Sequence, residues 1–173
     1  ETFGETMTKI LKLNQLQWNQ LGELVDNSSK EGHTFLKRMK AQYISGDNRF
    51  EGYGEGIFAY LYKNKLVAIC GLNKDPYLED QNVGRLRHLY VLPNYRKKGF
   101  GRKLVEHVIV QSREHFKLLT LRTFEDDANK FYNALGFTTD TMVYAATHLY
   151  QLTREAYLPE SYLDKLQKGE YQL

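Results

Sequence analysis

Arg96-Lys97-Lys98-Gly99-Phe100-Gly101 places two glycines among cations, between the apolar run Leu86 to Leu92 and a stretch carrying Leu104, Val105, Val108 and Ile109 at helical spacing. Backbone N–H groups at the start of a helix converge on an anion. Gly99 and Gly101 permit close backbone approach, while Arg96, Lys97, Lys98 and Arg102 add positive charge, so the loop suits a pyrophosphate. A solvated basic turn is the plainer reading of a lone glycine pair. The strand before this pair and the helix after it favour the anion site. No Gly-Lys-Ser/Thr follows at the spacing of a Walker loop, and the Gly-x-Gly-x-x-Gly of a Rossmann turn is absent.

Other residues could take part in chemistry. Cys70, the only cysteine, follows Val67-Ala68-Ile69. An apolar setting raises a thiol's pKa, so a packing role is expected rather than a nucleophile. His88 has a reference pKa of ~6.5 and is a weak candidate base, a structural histidine being the commoner case. Glu51, Glu55, Glu79 and Asp80 fall in loops able to border a site for a cationic amine, although most such charges are only solvated.

The elements that must position these groups read as follows. Ile10, Leu11 and Leu13 suggest a first strand, with Asn14 as a cap. Helical stripes follow with Trp18, Leu21, Leu24 and Val25, then Phe35, Leu36, Met39 and Tyr43, broken over residues 27–32. Residues 57–62 and 66–72 form a hairpin and 86–92 a third strand ending at Pro93. The helix after the glycine loop leads to a strand at 118–124, a right-handed strand-helix-strand unit. A helix with Ala128, Phe131, Tyr132 and Leu135 on one face stops at Gly136. Phe124 and Phe131 are expected in the core. A strand over 142–152 and a short helix after Pro159 complete the chain. The fold class is α/β (α+β), a mixed central sheet with helices on both faces. One domain is expected over residues 1–173: N-terminal helices at 14–45, a core at 57–137, and a C-terminal strand and tail at 138–173.

Composition is that of a globular protein, with 42% hydrophobic and 26% charged residues. A net charge of +3, from 24 basic and 21 acidic residues, is too small to imply a nucleic-acid partner. The patch Arg85, Arg87, Arg96, Lys97, Lys98, Arg102 and Lys103 is the feature such a partner would use, but apolar strand residues interrupt it. No run approaches the ~20 apolar residues of a membrane span, and no leader pattern opens the chain. A cytoplasmic protein without a metal, nucleic-acid or membrane partner is expected. Self-association as a homodimer through the Tyr-rich C-terminal strand is compatible with this reading.

The segment Leu89-Tyr90-Val91-Leu92-Pro93-Asn94-Tyr95-Arg96-Lys97-Lys98-Gly99-Phe100-Gly101, with its Arg-x-x-Gly-x-Gly core, resembles the acyl-CoA-binding strand and loop of the GNAT N-acyltransferases. A second segment, Ala128-Asn129-Lys130-Phe131-Tyr132-Asn133-Ala134-Leu135-Gly136-Phe137, resembles that family's later helix. The resemblance spans residues 57–137. It implies transfer of an acetyl group from acetyl-CoA to a small-molecule or peptide amine, by direct attack in a ternary complex without a metal. It further implies that backbone groups of Leu89, Tyr90 and Val91 hold the pantetheine arm and acyl carbonyl, that Lys97, Lys98, Gly99, Phe100, Gly101 and Arg102 cradle the pyrophosphate, that Arg96 braces the loop, and that Tyr132 is the general acid. Two positions depart from the family. Glu125 stands where many relatives carry Asn, seven residues before the tyrosine, and is a candidate for the pantetheine contact or for the base. Arg85 stands where many carry Glu. The base is unassigned, with His88 and Glu125 as weak candidates. A non-catalytic acyl-CoA-binding module and a basic-patch nucleic-acid-binding domain are the alternatives.

Overall fold

A computed structural model describes residues 8–169, the side chains of 15–17 excepted. The burial pattern of its strands explains its layers. In β2 (Gly56–Tyr62), residues Ile57 through Leu61 are all buried. Successive strand side chains face opposite ways, so a strand apolar on both faces needs cover on both. On the front, α1 (Gly22–Lys30) and α2 (Phe35–Ser45) bring Leu24, Val25, Leu36 and Met39 into one cluster with Ile57, Ala59 and Leu61. On the back, α3 (Phe100–Ser112) brings Leu104, Val105, Val108 and Ile109 into a second cluster with Phe58 and Tyr60. Full burial of such side chains is worth ~1.5–3 kcal/mol each, which outweighs the weak helix preference of the β-branched ones.

The remaining strands are β1 (Thr8–Lys12), β3 (Lys65–Lys74), β4 (Val83–Val91), β5 (Leu118–Leu121), β6 (Thr138–Thr139) and β7 (His148–Gln151). They form one seven-stranded sheet in the order β1-β2-β3-β4-β5-β7-β6. Only β4 and β5 run parallel, joined through α3; the other neighbours are antiparallel. Two helices complete the fold: α4 (Asp126–Ala134), which adds Tyr132 and Phe131 to the back, and α5 (Glu160–Gln167), which starts after Pro159 as expected. The mixed sheet with helices on both faces is the architecture the sequence led us to expect. Among the described residues no helix is long and apolar enough to cross a membrane.

Local expectations fail where tertiary contacts override composition. The polar tract 27–32 does not break at its start: α1 continues to Lys30 because Leu24, Val25 and Ser28 form a buried face. The chain then turns at Gly32, where φ is 86°. Asn14 precedes a 3-10 turn over Gln15–Leu21 rather than an α-helix. The strand expected over 118–124 stops at Leu121, so Phe124 is 79% exposed instead of in the core, whereas Phe131 does pack there. The strand expected over 142–152 is present only as His148–Gln151. Ahead of it, residues 140–147 loop over the front, anchored by Val143 and Ala146 in a third apolar cluster with Val83, Leu118 and Leu149.

Candidate functional site

The parallel strands β4 and β5 separate soon after they meet. Val83, Gly84 and Arg85 pair with Leu118, Leu119 and Thr120, and the pairing ends there although β4 continues to Val91. Each strand contributes a cause. In β4, three residue steps from Arg87 to Tyr90 oppose two in β3 from Gly71 to Ile69, and His88 has φ 57°. Such a bulge bends and twists its strand. On the other side, Thr123 N–H donates to Thr147 Oγ1 at 2.9 Å and Thr147 N–H donates to Leu121 O at 2.9 Å, tying the chain after β5 toward β7. The edge of β4 from Leu86 to Val91 thus lines a cleft with no strand partner on that side.

At the end of β4 the cleft meets the glycine loop. Lys97 has φ 60° and Gly99, the cap of α3, has φ 82°. Left-handed conformations at alternate residues turn successive N–H groups to one side. Among the described residues, none of the N–H groups of Lys97, Lys98, Gly99, Phe100, Gly101 and Arg102 has an intramolecular acceptor. They stand at the positive end of a 13-residue helix. Arg102 pairs with Glu106 at 2.9 Å, whereas no carboxylate of the described residues pairs with Lys97 or Lys98. A Cβ added at Gly101 would lie 3.3 Å from Val91 Cγ2 and 3.8 Å from Phe131 Cζ, so β4, α3 and α4 come together at this glycine.

Arg96 points away from the loop's donors. Its Nε donates to Val91 O at 2.9 Å, and its Nη1 and Nη2 donate to Glu31 Oε2 and Oε1 at 2.8 and 2.7 Å. Tyr90 O–H also donates to Glu31 Oε1. The carboxylate just beyond α1 therefore ties the front helices to the end of β4, a role invisible in sequence because Glu31 and Arg96 are 65 residues apart. The hydrogen bonds from Arg96 and Tyr90 lower the pKa of Glu31 to about 2. A depressed carboxylate pKa gives stability that is complete above the unfolded-state value and lost as pH falls through the folded one. We therefore expect the stability difference between wild type and Glu31→Gln in urea unfolding to be present at neutral pH and to vanish as pH falls from 4.5 to about 2. A gap that persists unchanged at the acid end would show that the carboxylate charge is not its source.

Tyr132 reaches the core from α4 and is 8% exposed. Its hydroxyl has no hydrogen-bond partner among the described residues. Burial pushes its pKa above the ordinary phenol value, so the group stays protonated. His148, absent from the sequence reading, lies beside it with ring centroids 6.2 Å apart. The His148 nitrogens are held by Asn129 Oδ1 at 2.7 Å and Thr147 Oγ1 at 2.8 Å, and burial lowers its pKa. A histidine in a run of Tyr, Ala and Thr gave no periodic signal that would have marked it. Cys70 is fully buried and desolvation raises its pKa, in line with a packing role.

The candidate bases are less well placed for that work. His88 sits on the bulge facing the front, against Phe35 and Phe50, with Nε2 buried and unpartnered. Desolvation, aided by Arg87 and Arg38, lowers its pKa to about 3, far from the ~6.5 of a free imidazole. Such a ring is neutral but holds an abstracted proton poorly. Glu125 is exposed at the start of α4, without a side-chain hydrogen bond to the helix. Glu55 and Asp80 are committed locally. Glu55 accepts from Asn73 Nδ2, Lys74 N and Gly52 N, and Asp80 accepts from Asn82 N and Tyr157 O–H. Glu51 and Glu79 are exposed.

Comparison with known proteins agrees with this geometry. The profile of the Acetyltransferase (GNAT) family matches residues 16–137. A crystal structure from Exiguobacterium sp. 255-15, whose name proposes an acetyltransferase, is 28% identical and superposes with a TM-score of 0.70 over 83% of this chain and 93% of that one. A Salmonella typhimurium structure with its cofactor acetyl-CoA shares the fold at 14% identity, TM-score 0.65, over 87% of this chain and 97% of that one. The ribosomal-protein-S18-alanine N-acetyltransferase of Escherichia coli does so at 18% identity, TM-score 0.62, over 88% and 100%. No curated protein sequence matches the chain.

Proposed function

Because the chain belongs to the GNAT acetyltransferase family, we propose that it transfers an acetyl group from acetyl-CoA to a primary amine, by direct attack while both substrates are bound. The observation that carries this reading is the run of unpartnered N–H groups from Lys97 to Arg102 at the mouth of the β4/β5 cleft. A pyrophosphate fits there, beside Lys97 and Lys98, which no carboxylate of the described residues neutralises, and the open edge of β4 suits the amide-bearing arm of the same molecule. Bound acetyl-CoA supplies an activated thioester.

The residues of the chain then have distinct tasks. Leu89, Tyr90 and Val91 offer strand N–H and C=O groups to the arm, and the N–H near Val91 is available to negative charge developing on the acyl oxygen. Arg96 holds Val91 O and so fixes the strand end. Glu125, exposed at the start of α4, stands in place of the family's usual amide. The amine nitrogen bonds to the acyl carbon, the carbon–sulfur bond breaks, and Tyr132 donates its hydroxyl proton toward the departing sulfur; the proton that the attacking nitrogen sheds as it becomes an amide passes through solvent and restores the Tyr132 hydroxyl. The ammonium form of the amine, with pKa ~10.4, first loses a proton to solvent water. Alignment of the two substrates supplies much of the rate.

Titration calorimetry with acetyl-CoA, CoA and ATP tests the cradle. Wild type is expected to bind both CoA species. Gly101→Glu should abolish binding, because its Cβ already presses on Val91 and its carboxylate repels the phosphates. Lys97→Glu, on an exposed side chain, should weaken binding at least ~10-fold without disturbing packing, since one lost charge-assisted contact is worth ~1.5–3 kcal/mol. Folded wild type that binds no CoA species would sink the acyltransferase reading. Tight binding without turnover on any amine would favour the non-catalytic acyl-CoA module.

A further inference from the structure

The front of β4, beside the bulge, is lined by cations that are incompletely partnered. The back of the same strand is closed by α3 and α4, with Val91 and Phe131 against Gly101. An amine attacking an acyl group held in the β4/β5 cleft therefore enters from the front. Three arginines gather there: Arg85 and Arg87 from β4 and Arg38 from α2, whose charges reach Arg87 or His88. One carboxylate among them, Asp75, is already committed. It sits 3.3 Å from Arg85 Nη1, accepts from Thr120 Oγ1 at 2.5 Å, and accepts the Tyr77 N–H through Oδ1 at 2.8 Å. Arg85 gives its other arm to Ala145 O at 2.7 Å. The nearby Glu55 receives three N–H groups, as described above.

Arg87 is left underused. It is half-buried, and its guanidinium, with five N–H donors, makes one long hydrogen bond, 3.4 Å to Asn73 Oδ1, an oxygen that Asn48 Nδ2 already reaches at 2.9 Å. Arg38 makes one contact of 3.3 Å, to Thr34 in its own helix cap. Next to Arg87 along the strand, His88 Nε2 is buried with no partner. A partly desolvated guanidinium with open donors thus lies beside a buried ring that offers it no partner. A planar guanidinium fork is the donor set that an oxyanion requires.

We propose that the acetyl acceptor is an anionic amine, one carrying a carboxylate or phosphate close to its amino group, and that Arg87 and Arg38 bind that oxyanion in front of β4. This inference rests on the acyl-transfer reading. Arg87 acts here as a specificity-determining residue, placing the amine over the acyl carbon, and it takes no part in the proton transfers.

Matched amines test it: an α-amino acid against its amide and its decarboxylated amine, and an aminoalkyl phosphate against the corresponding amino alcohol. The expected result is that wild type favours the anionic member of at least one pair by ~10-fold or more in kcat/KM, as one charge-assisted bidentate contact would give. The pair that responds distinguishes carboxylate from phosphate. Arg87→Gln should bring the ratio close to one, chiefly through KM of the anionic member. Arg38→Gln, at an exposed position where folding is safe, should lower it part of the way. A wild type that prefers the neutral or cationic member of every pair overturns the proposal, and so does a preference that neither substitution alters. In parallel, direct titration of each amine in the presence of CoA reads oxyanion binding apart from turnover. Anionic amines that bind wild type but not Arg87→Gln uphold the site even if transfer fails. Absence of that binding, with CoA itself bound, overturns the site and leaves the acyltransferase reading intact.

Discussion

Tyr132→Phe is expected to lower kcat by ~100-fold or more, the usual contribution of a positioned acid, while acetyl-CoA affinity changes little. The hydroxyl has no partner within the described protein, so its loss breaks no internal hydrogen bond. The ring remains and keeps its packing with Phe131 and Phe137. The thermal midpoint should therefore stay within a degree or two of wild type, since a change of 1 kcal/mol moves the midpoint of a domain this size by only ~2–4 °C. Steady-state kinetics with a competent amine, run beside a thermal melt, checks both parts. Full activity in the phenylalanine variant would remove Tyr132 from the chemistry and return it to the apolar stripe of α4. The raised pKa sharpens the expectation. A phenol weaker than the departing thiol transfers its proton only as charge accumulates on sulfur, so the effect should appear in kcat rather than in KM.

The second large effect concerns stability. Asp75 and Arg85 form an ion pair with side chains 0% and 6% exposed, joined by Thr120 and by the carbonyl of Ala145. Asp75→Ala leaves a buried guanidinium without its counter-charge, which costs about 3–5 kcal/mol. Arg85→Met removes the bond to Ala145 O that anchors the loop at 140–147 to β4. Asp75→Ala combined with Arg85→Met should lose much less than the sum of the single changes, because a buried pair replaced by apolar groups is close to neutral. Urea unfolding of the four proteins measures this. Additive losses would mean that the two charges do not depend on each other.

The Asp75–Arg85 pair also decides the place of Arg85, which by sequence belongs only to a basic patch. In the fold it is buried and paired, so it belongs to the framework that holds the front loop, and the neighbouring Arg87 is the cation that remains open. Two arginines one residue apart on the strand differ here because only the tertiary structure places Asp75 in an ion pair with one of them.

Local chemistry was enough to specify the strand, glycine loop and helix of the proposed anion site. Gly99, with φ 82°, allows a turn that other residues resist, Gly101 leaves room for Val91, the cations flank the loop, and the 3.6-residue stripe of α3 dictates which side packs. All of that lies within residues 83–112, where chain order and spatial order coincide. The Phe-Tyr-x-x-Leu-Gly-Phe helix was legible for the same reason. The tertiary structure decided what depends on distant segments meeting. The early end of β5 follows from the hydrogen bonds of Thr147, the bulge at His88 from pairing with β3, the Glu31–Arg96–Tyr90 tie from the packing of α1 on β4, and the environment of His88 from Phe35 and Phe50. A free imidazole and a histidine enclosed by aromatic rings beside two arginines are identical in sequence. Desolvation and neighbouring charge separate their proton affinities, and both are properties of the folded chain alone.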